Sequence, residues 1–255
     1  MMQKIEIAGG RVEYQFIEGA RDKPVLVFLH EGLGSVAQWR DFPAQVAAAS
    51  GLPALIYSRI GYGGSSPCAL PRPIGYMHDE AEHGLPDLLR ALGIDDYILI
   101  GHSDGASIAL IHAGSTRLGL RGLAVMAPHS FAEDISIRSI AAADIAYRTG
   151  DLRERLMKYH GANVDCAFHG WCDSWLNPDF RHWNIESYLD AIGKPLLAIQ
   201  GEADEYGTLA QIDCIMARVQ GAQSLILPAC GHSPQRDKPA ETLAALRDFV
   251  VAIAG

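Results

Sequence analysis

An α/β domain built on a mostly parallel sheet is the architecture this 255-residue sequence predicts. Three observations predict it. The chain opens on two segments of alternating polarity, continues through short unbroken apolar runs, and places segments of helical period between those runs. Strands covered on both faces read as continuous apolar runs, and strands alternating with helices form parallel sheets.

The elements follow in order. Ile5 and Ile7, then Val12, Tyr14 and Phe16, share one face at the period of two expected of strands, and Gly9-Gly10 between them marks a hairpin turn. Apolar runs follow at Val25 to Leu29, Ala54 to Tyr57, Tyr97 to Ile100, Leu123 to Met126 and Leu196 to Ile199, and a last strand is expected in the run SLILPACGHSP. Ala81, Leu85, Leu88, Leu89 and Leu92 recur at helical spacing, as do Leu243, Leu246, Phe249, Val250 and Ile253 near the end. The alternation lapses between Pro128 and Gly193. A core domain of residues 1–128 and 194–255 is therefore expected, with a helical lid inserted over 129–193. Three of the four tryptophans, Trp171, Trp175 and Trp183, lie in the second half of that insertion with Phe180. They are expected to pack the lid onto the core, with Trp171 and Trp175 roofing an apolar substrate pocket.

Composition narrows the function. The formal charge is −9 and the cationic residues are scattered singly, which argues against a nucleic-acid partner. The opening MMQKIEIAGG lacks the apolar run of a signal peptide, and no stretch nears the roughly 18 apolar residues of a membrane span. A soluble, cytoplasmic protein acting on a small molecule, as a monomer or homodimer and without membrane contact, is expected. The five cysteines form no C-x-x-C pair and are read as reduced, partly buried thiols. His129, His160, His169 and His182 show no metal-ligand spacing and are read as packing or surface residues, so no metal site is expected.

The chemistry centres on Gly101-His102-Ser103-Asp104-Gly105, a G-x-S-x-G run between a strand and a helical segment. That context turns a serine sharply out of a strand end, and the glycines keep side chains out of a crowded turn. A serine hydroxyl needs a base oriented by a carboxylate, and in this type of site the chain order is serine, acid, histidine. The strand KPLLAIQ ends in Gly201-Glu202-Ala203-Asp204, which nominates Asp204, with Glu202 and Glu205 competing. The loop Gly231-His232-Ser233-Pro234 nominates His232. Acyl transfer also needs two N–H donors for the developing oxyanion. One is expected from the amide of Asp104, the other from Gly32 in His30-Glu31-Gly32-Leu33-Gly34-Ser35, with Leu33 the alternative. His102 is read as a packing or hydrogen-bonding residue.

With these motifs, and with Arg59-Ile60-Gly61-Tyr62-Gly63-Gly64-Ser65, nearly the whole chain resembles the α/β hydrolase superfamily. The resemblance implies an eight-stranded sheet, a lid after the sixth strand, and no cofactor. Two departures are visible. His30-Glu31 stands where members often have His-Gly, which brings a carboxylate toward the site mouth. Ser103-Asp104-Gly105 is similar to the valacyclovirase-like and biphenyl hydrolase-like branch, whereas members with Met at the position of Asp104 are common among esterases and C–C hydrolases. Asp104 is thus a candidate substrate-binding residue, able to pair with a substrate amine or to stabilise the turn through nearby backbone.

The expected function is hydrolysis of a small carboxylic ester or lactone through a covalent acyl-enzyme, with Ser103, His232 and Asp204 as the triad. Hydrolysis of a carbon–carbon bond or an enol lactone of aromatic degradation is the alternative. A non-catalytic binding protein of the same fold is a third reading.

Overall fold

The computed structural model describes residues 1–115 and 118–255. In chain order the elements are β1 (Gln3–Ile7), β2 (Gly10–Ile17), β3 (Val25–Leu29), a 3₁₀ turn (Val36–Trp39), α1 (Phe42–Ser50), β4 (Ala54–Ser58), α2 (Tyr76–Asp79), a π turn (Glu80–Gly84), α3 (Leu85–Leu92), β5 (Tyr97–His102), α4 (Asp104–Ser115) and β6 (Leu120–Met126). Then follow α5 (Asp134–Thr149), α6 (Leu152–His160), a 3₁₀ turn (Gly161–Asn163), α7 (Val164–Trp175), a 3₁₀ turn (Pro178–His182), α8 (Glu186–Leu189), β7 (Leu196–Gly201), α9 (Ala210–Arg218), β8 (Gln223–Leu227), α10 (Pro234–Asp237) and α11 (Pro239–Ala254).

The strands form one sheet in the order β1-β2-β4-β3-β5-β6-β7-β8, antiparallel at β1-β2-β4 and parallel from β4 to β8. Each expected strand is present, and α5 to α8 lie between β6 and β7. The central strands are apolar throughout because both of their faces are covered. Leu26, Phe28, Ile98, Ile100, Ala124 and Met126 face the layer that holds α1 and α11. Val27, Leu29, Leu99 and Val125 face the opposite layer, which contains α3, α4 and the insertion. Among the described residues no helix is long and apolar enough to cross a membrane.

The helical pattern over 81–92 is interrupted, and Pro86 explains why. A proline inside a helix lacks the N–H that would bond the carbonyl four residues back, and its ring crowds that carbonyl. The chain widens into the π turn of Glu80–Gly84 just before it. The carbonyl of Ala81 in this turn accepts a hydrogen bond from His112 Nδ1 on α4 (2.8 Å).

The insertion is tied to the core by polar bonds as well as by packing. His160 Nδ1 accepts from the amide of Gly63 (3.1 Å), which leaves Nε2–H to donate to the carbonyl of Leu33 (2.9 Å). Asn163 Nδ2 donates to the carbonyls of Gly63 (3.1 Å) and Ser65 (2.7 Å). Both side chains are buried. Asn163→Ala leaves two buried carbonyls without this donor, and urea unfolding is expected to show a loss of about 1–3 kcal/mol. An unchanged midpoint would show that the docking does not depend on these bonds.

Candidate active site

Ser103 sits between β5 and α4 with φ 54°, a left-handed conformation that a serine adopts only when the surroundings impose it. The flanking glycines explain the imposition. A Cβ on Gly101 would lie 2.4 Å from the carbonyl oxygen of Gly105, and one on Gly105 would lie 2.1 Å from that of Leu29 on β3. Helix and strand approach too closely here for any side chain. The Ser103 amide donates to Met126 O (2.9 Å), anchoring the turn to β6.

The loop after β8 brings His232 to this turn, with Nε2 2.9 Å from Ser103 Oγ. Nδ1 lies 2.8 and 2.9 Å from the two oxygens of Asp204, which follows β7. A carboxylate accepts, so Nδ1 carries the proton and the Nε2 lone pair faces the serine hydroxyl. Asp204 also accepts from Gln200 Nε2 (2.8 Å) and from the amides of Tyr206 (2.7 Å) and Gly207 (3.2 Å). Burial alone would raise its pKa, yet the His232 contact and the Tyr206 amide outweigh that and hold it below the usual carboxylate value. Of the competing acids, Glu205 accepts the His232 amide (3.2 Å) and so steadies the loop. Glu202 is exposed. His102 donates from Nε2 to the carbonyl of His232 (2.7 Å), the hydrogen-bonding role expected of it.

The loop after β3 is held by its carbonyls. Glu31 O accepts from His30 Nδ1 (2.7 Å), Arg59 Nη2 (3.1 Å) and the Gly34 amide (3.0 Å). In a trans peptide the N–H of the next residue points opposite that carbonyl, so the direction of the Gly32 amide is set. A Cβ on Gly32 would lie 2.2 Å from Trp171 Nε1, so only glycine lets the α7 indole stand over this loop. The Glu31 carboxylate lies 3.6 Å from both His102 Nδ1 and Arg236. Burial disfavours its charge, but these neighbours hold it well below the usual carboxylate range.

Asp104 is fully buried. Its carboxylate accepts from Tyr76 Oη (2.5 Å) and Trp175 Nε1 (3.2 Å) and lies 3.8 Å from Arg59. Its partners are therefore side chains from α2, α7 and the loop after β4, where the turn-stabilising reading expected nearby backbone. Burial pushes its pKa up against the pull of Arg59. Trp175 is buried and also donates to Tyr76 (3.1 Å), so Trp171 and Trp175 both converge on the serine turn and its facing loop.

Sequence reasoning missed His129, Arg59 and Tyr76. His129 follows β6, and the carboxyl end of a sheet strand is a position that could have flagged it. Its ring lies 5.8 Å from that of His232 and 5.1 Å from Trp175, and its buried Nδ1 has no partner among the described residues. Burial, and secondarily the neighbouring His232, lowers its pKa to about 3. It is neutral in the folded protein at any ordinary pH.

Below about pH 6.5 the unfolded chain protonates this imidazole while the folded chain does not until about pH 3, so stability falls as pH falls through that window. One such group contributes up to about 1.4 kcal/mol per pH unit. His129→Phe is expected to remove that share of the slope in urea unfolding followed from neutral to acidic pH. An identical slope in the variant would assign the acid sensitivity to other groups.

A profile of the Alpha/beta hydrolase family matches residues 26–246. Among curated proteins, 2-succinyl-6-hydroxy-2,4-cyclohexadiene-1-carboxylate synthase of Klebsiella pneumoniae (strain 342) is 34% identical over 265 residues, covering 92% of this chain and 96% of that one. Serine hydrolase BPHL of Homo sapiens is 25% identical over 180 residues, covering 68% and 60%. The crystal structure of carboxylesterase CesB (YbfK) from Bacillus subtilis superposes with a TM-score of 0.74 at 20% identity, covering 99% of this chain and 92% of that one, a likeness of fold. The sheet order and the strand–serine–helix turn agree with the profile match, and the chain belongs to the alpha/beta hydrolase family.

Proposed function

We propose that the protein is a serine hydrolase cleaving a small carboxylic ester or lactone through a covalent acyl-enzyme. The observation that carries this reading is the continuous hydrogen-bonded path from Ser103 Oγ through His232 to Asp204. In this reading His232 Nε2 takes the Ser103 proton as Oγ attacks the carbonyl carbon. Asp204 stabilises the imidazolium that forms. His232 then protonates the leaving oxygen, and a water activated by the same imidazole releases the acid. The oxyanion is held by the amides of Gly32 and of Asp104, the latter at the first turn of α4, where backbone N–H groups have no partner within the helix. Gly32 is favoured over Leu33 because the pinned Glu31 carbonyl sets its N–H direction.

The insertion serves as the lid in this reading. Ser103 is 7% exposed, so a substrate reaches it past Trp171 and the other residues of α7, which suits a small acyl group. One observation favours a second reading: the 34% identical relative is named a synthase of a cyclohexadiene carboxylate. The same serine–histidine pair can act at a carbon–carbon bond. A panel setting short p-nitrophenyl esters and lactones against vinylogous diketones separates the two, and strong preference for the diketones would replace the esterase reading.

Ser103→Ala is expected to lower turnover of a short p-nitrophenyl ester by on the order of 10³-fold or more and to abolish labelling by a fluorophosphonate probe. Activity that survives the substitution would end the proposal. For Asp104, whose oxygens are occupied within the protein, Asp104→Asn is expected to slow amino acid esters and neutral esters by the same factor. It is also expected to cost about 3 kcal/mol, because Arg59 loses a buried charged neighbour. A loss confined to amino acid esters would instead assign the carboxylate to a substrate amine.

A further inference from the structure

Two cysteines 98 positions apart meet where the insertion docks. Cys68 lies in the loop after β4, and Cys166 is in the first turn of α7. Their sulfurs are 3.0 Å apart, about 1 Å outside the length of a disulfide bond. Each sulfur also accepts an N–H. Arg72 Nε donates to Cys68 Sγ (3.0 Å), and the Cys68 amide donates to Cys166 Sγ (3.2 Å).

Gly61 makes room for the pair. Its φ is +92°, and a Cβ there would lie 2.8 Å from Cys68 Sγ, 3.3 Å from Cys166 Sγ and 2.2 Å from Arg72 Nη2. Both cysteines are partly exposed. Cys68 and Arg72 line an open surface cavity of about 380 Å³ that also borders Ile60, Tyr76 and Glu80, which gives a small oxidant access. The other three cysteines share none of this arrangement among the described residues.

We infer that Cys68 and Cys166 form a reversible redox pair, whose oxidation by a peroxide staples α7 to the loop after β4. The steps balance. The Cys68 sulfur, which accepts the Arg72 Nε–H, gives up its proton as it attacks one peroxide oxygen; the O–O bond breaks, and the departing oxygen takes up that proton and leaves as water. The sulfenic acid on Cys68 is then attacked by the Cys166 sulfur. The S–O bond breaks, the S–S bond forms, and a second water departs with the remaining proton. Two thiols have lost two electrons and the peroxide has gained them. A dithiol reverses the process by exchange.

The order of attack has a physical basis. Burial and the neighbouring Cys68 sulfur push the Cys166 thiol up to about 11, which suits it to resolve and not to initiate. Arg72 contacts Cys68. The consequence is mechanical. Cys166 shares a helix with Trp171 and Trp175, and the Cys68 loop runs into α2 and Tyr76, so the crosslink ties together two segments that meet at Asp104.

The test uses the full chain. Reduced protein is exposed to hydrogen peroxide, quenched, and examined by thiol titration under denaturing conditions, intact mass and peptide mapping. The five titratable thiols are expected to fall to three, with loss of two hydrogen atoms, a peptide joining Cys68 to Cys166, and full recovery with dithiothreitol. The oxidised form is expected to melt roughly 5–10 °C higher. Cys68→Ser and Cys166→Ser each abolish the link, and Arg72→Gln slows its formation. Peroxide that leaves all thiols free, links other cysteines, or carries Cys68 to the sulfinic acid without a crosslink overturns the inference. Because the readout is covalent, it stands or falls independently of the hydrolase reading.

Discussion

The guanidinium of Arg59 is the charge around which the site is assembled. It is 2% exposed, and an arginine cannot shed its proton to escape burial, so acceptors must be brought to it. Its Nη1 donates to His30 O (3.0 Å) and its Nη2 to Glu31 O (3.1 Å), and the group lies over the Tyr62 ring at 4.9 Å. The Asp104 carboxylate supplies the opposite charge. One side chain thereby sets the carbonyls of the loop after β3 and faces Asp104, the residue that follows Ser103. Tyr76 and Trp175 reach the same carboxylate from α2 and α7. A cation that would be costly alone is paired directly with the loop after β3 and with Asp104, and through that carboxylate it is linked to α2 and α7.

Neutral imidazoles complete this scaffold. His30 donates from Nδ1 to Glu31 O and accepts the Arg59 amide at Nε2 (3.1 Å), so both ring nitrogens are committed and the tautomer is settled. His160 carries the opposite tautomer between Gly63 and Leu33. Burial lowers the pKa of both, which matches a use in which each ring must present one donor and one acceptor. Histidine serves in these places as a rigid two-ended connector between backbone groups.

The sheet was legible because its physics is local. Runs such as Val25–Leu29 and Leu196–Ile199 are apolar at every position only when both faces are covered, and the glycines at 101 and 105 betray the crowding of the turn they flank. Ser103, Asp204 and His232 were legible through their positions at strand ends. The setting of Asp104 was not. Its partners Arg59, Tyr76 and Trp175 stand 45, 28 and 71 positions away, and no periodicity encodes such a meeting. The π turn could have been suspected from Pro86 inside an otherwise helical run. Cys68 and Cys166 read as isolated thiols because spacing rules describe cysteines close in sequence, and these two meet only through tertiary folding.

His160 and Asn163 bear on how freely such an insertion could be exchanged. Between them they satisfy the Gly63 amide and the carbonyls of Leu33, Gly63 and Ser65, four backbone groups that belong to the core. A chimera cut at the ends of β6 and β7 would strip all four of their partners and leave the core with an unpaired seam. This hydrogen-bonded seam therefore does not coincide with the strand ends. The segment through Asn163 travels with the core, and a graft that begins beyond it would change the roof of the site while keeping its foundations.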